Sequence, residues 1–182
     1  MTTCDRKFRE LILYVAGESS GDARCGATKL NKILFYADFQ AYRSLGRPIS
    51  GQKYQKLERG PAPKHVIPVI SDMESSGLCK WDERDYYGFP LKKLVPLRDP
   101  DLSVLSEEEV RIAQSVIREL WDLNATEVSD LSHRFVGWQA AELGEEIPYE
   151  TVFVGEPRPL TPEELAWAHA AIDEYLEQRE SA

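Results

Sequence analysis

The 182-residue chain is poor in the residues that build metal and redox centres. It holds three cysteines, three histidines and two methionines. Cys4, Cys25 and Cys79 are odd in number and widely spaced, which excludes a disulfide framework and a CxxC motif and suits a reducing compartment. His65, His133 and His169 have no Cys or His at ligand spacing, so neither an HExxH nor a CxxC zinc site is present. Gly17 to Gly21 carries glycine but lacks the Lys-Ser/Thr of a phosphate-binding loop, and no GxSxG elbow occurs. Ser132 and His133 are neighbours in sequence, but helical neighbours point about 100° apart and do not make a nucleophile–base pair. The expectation is therefore no catalytic residue, no cofactor and no bound metal, and the chain is not read as an enzyme.

Long apolar runs are missing too. None approaches the ~18–20 residues of a bilayer span. Residues 1–10 have no apolar core followed by a small-residue cleavage site, so no secretory leader is expected and the expected location is the cytoplasm. No repeat or low-complexity tract appears. The expectation is one domain over 1–182, with residues 98–105 as the joint between two subdomains.

Charge is plentiful and unevenly placed. Residues 1–65 hold 12 basic and 6 acidic side chains, and residues 66–182 hold 10 and 25. The two halves can face each other within the chain or face different partners. The basic residues are scattered rather than gathered on one recognition helix, so DNA is not the favoured partner.

Apolar periodicity predicts a first helix over Asp5 to Ala16 and a second from a Thr28 cap to Leu45, ended by Gly46. The second helix has two apolar stripes. One is Leu30, Ile33, Leu34, Ala37 and Ala41; the other is Phe35, Phe39 and Tyr42. Asn31 and Asp38 fall between them and are expected to be buried or half-buried, with hydrogen-bond partners. Lys29, Lys32, Tyr36, Gln40 and Arg43 share the opposite face.

Ile49 to Leu57 allows at most a short extended piece. Gly60-Pro61-Ala62-Pro63 reads as a rigid turn, with Pro63 opening a third helix that Gly77 ends. Leu78–Asp82 and Leu91–Leu97 read as hairpin arms, with Tyr86 and Tyr87 as aromatic partner anchors in the loop between them. Ser106 to Glu109 is a capping box, and Thr126 is expected to cap a short helix to Arg134. A second capping box at Thr161 to Glu164 opens a terminal helix with Leu165, Ala168, Ile172, Tyr175 and Leu176 inward. The fold class is α+β and predominantly helical: helices around the central helix of about 28–45, with a small antiparallel hairpin of about 78–97.

Four segments carry a family resemblance. Lys29 to Phe39 (KLNKILFYADF) is similar to a KLNKLLYFAD helix. Gly46 to Tyr54 resembles GRpItGxxY, and Arg59 to Pro63 resembles yGPvP. Ser129 to His133 followed by Trp138 resembles a C-terminal LSH…W signature. Together they look like the Panacea domain of SocA-like and phage-associated GepA-like proteins, over about residues 8–140. Arg59 stands where an aromatic is common and Ala62 where valine is common.

The resemblance implies a bacterial or phage antitoxin that neutralises a cognate toxin by direct protein contact, with no catalytic residue or cofactor. Asn31, Asp38, Tyr54, His133 and Trp138 are the motif residues that could line a shared partner-binding groove. The alternatives are a winged-helix-like DNA-binding regulator and an adaptor delivering a bound protein to another machine. Oligomeric state is left undecided.

Overall fold

The computed structural model describes residues 3–86 and 89–155, together with Thr161–Glu163, Leu165–Trp167, His169, Ala170 and Ile172. Helix α1 spans Thr3–Glu18 and α2 spans Ala27–Leu45. Two two-residue strands follow, β1 at Tyr54–Gln55 and β2 at Ala62–Pro63. Next come α3 at Val66–Ser75 and the hairpin strands β3 at Cys79–Tyr86 and β4 at Phe89–Pro96. The chain continues through α4 at Glu107–Glu119, α5 at Ala125–His133, α6 at Val136–Ala140 and β5 at Glu146–Ile147. A 3₁₀ turn, Tyr149–Phe153, closes this part. The predominantly helical α+β class read from the sequence is the one found.

Helix α2 is central because both its stripes are buried, each in a different core. Leu30, Ile33, Leu34, Ala37 and Ala41 join an aliphatic core with Phe8, Leu11, Ile12 and Val15 of α1, Ile70 and Met73 of α3, Leu94 of β4, and Ala113, Val116 and Ile117 of α4. Phe35 and Phe39 join a smaller aromatic core with Tyr54 and Ile147, flanked by Phe135, Trp138, Tyr149 and Val152. Burying apolar area on two sides is what holds a polar-ended helix at the centre of a fold.

The small sheet has the order β2-β1-β5, antiparallel throughout, with Tyr54 opposite both Pro63 and Ile147. It ties the loop after α2 to a segment about 90 residues further on. The hairpin pairs Cys79 with Pro96 through Tyr86 with Phe89.

Several boundaries differ from the sequence reading. Gly26, not Thr28, is the N-cap of α2 and offers no side-chain bond. Pro63 lies in β2, and α3 starts three residues later behind His65. Residues 83–86, read as loop, extend β3. Asn124 rather than Thr126 caps α5, accepting from the Thr126 and Glu127 amides while Glu127 reaches back to the Asn124 amide. Asn ranks above Thr as an N-cap, so the earlier of the two candidates takes the role. The capping box at Ser106 and Glu109 forms as read. A helical turn forms at Thr161, whose carbonyl accepts from the Leu165 amide. Leu165 and Ile172, read as inward, are instead 42% and 54% exposed.

The uneven charge is matched within the chain. Lys7 and Arg47 both meet Glu109, Arg6 meets Asp101, Arg9 meets Asp72, and Lys53 and Lys64 meet Glu146. Basic N-terminal residues thus face acidic residues from the second half.

Candidate functional site

Asp38 sits at the junction of the aromatic core and the loop after α2, with no exposed surface. Its carboxylate accepts from the Ser50 amide at 2.7 Å, from the Ser50 hydroxyl, and from the Tyr54 hydroxyl at 2.8 Å. Tyr149 adds a longer contact at 3.4 Å while donating to the Gln52 carbonyl. Burial holds the Asp38 carboxyl above its ordinary range, and the bonds from Ser50 and Tyr54 offset only part of that rise. The Tyr54 phenol is pushed well up by burial and by the neighbouring Asp38 charge. This arrangement pins the Gly46–Tyr54 segment onto α2. Asp38 and Tyr54 are brought together here, in the interior and not in an open groove.

Lys29 and Lys32, on the face of α2 opposite Asn31 and Asp38, are only 1% and 2% exposed. Lys29 pairs with Asp22 at 2.6 Å and donates to the Trp121 and Leu123 carbonyls. Lys32 donates to the Pro61 carbonyl at 2.9 Å, and burial pulls its ammonium down to about 8. Gly60, at φ +94°, passes directly over it. A Cβ there would collide with the Ser132 hydroxyl and lie 2.9 Å from Lys32 Nζ. The Gly60-Pro61 dipeptide is thus a backbone cover for a buried lysine, and only glycine leaves the room.

His133 and Trp138 also come together, on the far side of the same loop. Their rings stack with centroids 4.1 Å apart at 16°. Lys56 lies 4.3 Å above the Trp138 ring, and the indole N–H donates to the Leu57 carbonyl. His133 Nε2 is buried without a hydrogen-bond partner. It borders a cleft of about 390 Å³ lined also by Thr28, Glu58, Arg59, Thr126 and Ser129.

Asn31 is half-buried in another cleft, beside Val66, Ile70, Trp81 and Lys92. The five motif residues therefore divide among three places rather than lining one shared groove. Tyr87 and the Tyr86 side chain lie outside the described residues. Among the described residues no three His, Cys, Asp or Glu side chains converge as a metal site, and no helix is long and apolar enough to cross a membrane.

A further open cleft, which the sequence does not point to, runs along the aromatic face of α2. It holds about 550 Å³ between Phe35, Tyr36, Phe39, Gln40 and Arg43 on one side and Phe135, Val136, Val152 and Phe153 on the other. Arg134 and Glu119 border it. Burial raises the Tyr36 phenol to about 12. The sequence signal was present in the Phe35/Phe39 stripe, but its partners come from residues 135–155, which have no readable period of their own.

A family described as "Antitoxin SocA-like, Panacea domain" matches residues 30–139. The span opens inside α2 and closes just after Trp138, so it takes in Asp38, Tyr54, the Gly60 turn and the His133–Trp138 stack. Neither the curated proteins nor the solved structures contain a match to the chain.

Proposed function

The chain belongs to the antitoxin SocA-like Panacea domain family, and from that premise we propose that it neutralises a cognate toxin by direct protein–protein contact. The observation that carries the reading is the family match across more than half of the chain. The motif residues support it in a particular way. Asp38, Tyr54 and the Gly60 turn are occupied in holding the fold, which leaves contact to the surface they shape.

The contact face we assign is the polar cleft beside α5. Arg59 has no ion-pair partner among the described residues, and it lines this cleft together with Glu58 and His133. A charged, hydrogen-bonding patch of this kind steers encounter and sets specificity more than it supplies raw affinity. The toxin is expected to present an acidic or carbonyl-rich segment to Arg59.

The test is co-expression of this protein with the product of each adjacent gene, scoring growth and co-purification. Rescue from a toxic neighbour, lost on Arg59→Glu in a protein of unchanged melting temperature, is the expected result. No rescue and no co-purification with any neighbour overturns the antitoxin reading. Full rescue by Arg59→Glu overturns the assigned face.

A further inference from the structure

Two apolar surfaces close together in the chain face water. One is the cleft along α2. The other is the helical stripe at the C-terminal end, where Leu165 and Ile172 are 42% and 54% exposed. The chain itself connects them, since Gly155 lines the cleft and the helical turn opens at Thr161. We propose that the segment from Thr161 to the C-terminus docks, through its Leu165–Ile172 stripe, into the cleft bordered by Arg43 and Arg134 of its own chain.

Length, shape and charge agree on this occupant. The five residues 156–160 can span roughly 17 Å when extended, enough to turn the helix back onto the cleft. Along α2 the cleft runs from Phe35 to Arg43, eight residues or about 12 Å of helix. Leu165 to Ile172 is seven residues, about 10 Å, so the stripe matches the cleft it would fill. Helical spacing in the sequence assigns the small Ala168 to the same stripe, which suits close approach to an aromatic floor.

Charge favours the same pairing. Residues 156–182 carry seven acidic and two basic side chains. At 100° per residue Glu164 and Asp173 fall on opposite flanks of the stripe. Arg43 and Arg134 have no ion-pair partner among the described residues, unlike Arg6, Arg9, Arg47 and Arg98. The docked segment supplies the carboxylates those two arginines lack. It also covers Phe153, which is 63% exposed. An isolated helix of this length is marginal in water, so docking is also what stabilises it.

The test needs no toxin, so its failure is separate from failure of the antitoxin reading. Amide hydrogen exchange is measured on the full chain at two concentrations tenfold apart. In the wild type, amides of residues 165–176 are expected to exchange at least tenfold more slowly than an unstructured chain, equally at both concentrations. The R43E/R134E pair is expected to abolish that protection while core amides of α1 and α4 keep theirs. Adding E164R and D173R to that pair is expected to restore it. Unprotected 165–176 amides in the wild type overturn the proposal. So does protection that survives R43E/R134E, and so does protection that rises with concentration, which would place the segment on a second copy.

Discussion

The two faces of α2 are packed by different means. On the aliphatic side, Leu30, Leu34 and Ala41 join one cluster with apolar side chains from α1, α3, β4 and α4. On the aromatic side, Phe35 and Phe39 meet rings from short segments, and the segments are held in place by hydroxyls converging on Asp38. Rings cluster edge to face, as with Phe35–Tyr54 at 5.6 Å and Phe39–Phe135 at 5.3 Å. The first side is held by area removed from water, the second by a few directional bonds that give the rings their seats. One helix can therefore be robust on one face and brittle on the other.

The largest expected break comes from Asp38→Ala. It leaves the Ser50 amide and hydroxyl as buried donors without their acceptor, while the Tyr54 hydroxyl keeps the Leu34 carbonyl at 2.9 Å, which together costs about 3–5 kcal/mol. The measurement is hydrogen exchange by segment. Residues 46–56 and 146–153 are expected to lose protection well before α1 and α4. Uniform loss across the chain would show that the two faces are one cooperative unit.

Gly60→Ala comes next. It strains a left-handed backbone position and drives a methyl into the Lys32 ammonium and the Ser132 hydroxyl. The expected loss is about 2–4 kcal/mol by urea unfolding. A change below about 0.5 kcal/mol would mean the turn has room that the structure denies it.

Lys32 sharpens the comparison through pH. Its folded value of about 8 lies below the ordinary 10.5, so between those limits the unfolded chain holds more protons. The burial penalty is complete below pH 8 and disappears as pH rises toward 10.5. The stability of the wild type relative to Lys32→Met is expected to climb over that window by on the order of 3 kcal/mol. A flat difference would place the ammonium in contact with water.

Tyr149→Phe is the mildest test. It removes the bond to the Gln52 carbonyl and the 3.4 Å contact to Asp38 but keeps the ring. About 1 kcal/mol is expected from thermal unfolding.

The same contrast explains which parts were legible in the sequence. Leu30, Leu34, Phe35 and Phe39 read correctly because helical period reports faces. Ser106–Glu109 read correctly because a capping box is a purely local device. The burial of Lys29 and Lys32 is not legible from the helical period, because it depends on Asp22, Trp121, Leu123 and Pro61, none of which a local window relates to α2. β1, β2 and β5 are two residues each, too short to show alternation. Asp38 is legible as a buried or half-buried polar group, but its donors are not. Ser50 is 12 residues away and Tyr149 is 111. His133 and Trp138 belong to one motif and do stack. Asn31 was grouped with them and sits elsewhere.

The reach from Asp38 to Tyr149 also sets a schedule for synthesis. A chain emerging from the ribosome can pack α1 against the aliphatic face of α2 as soon as both are out. Its aromatic face must wait for Phe135, Ile147 and Tyr149, roughly a hundred residues or several seconds of translation later. During that interval Phe35, Phe39 and Tyr54 are bare to solvent. The newborn protein passes through a stage that is half folded and adhesive, and anything that slows elongation between residues 54 and 149 prolongs it.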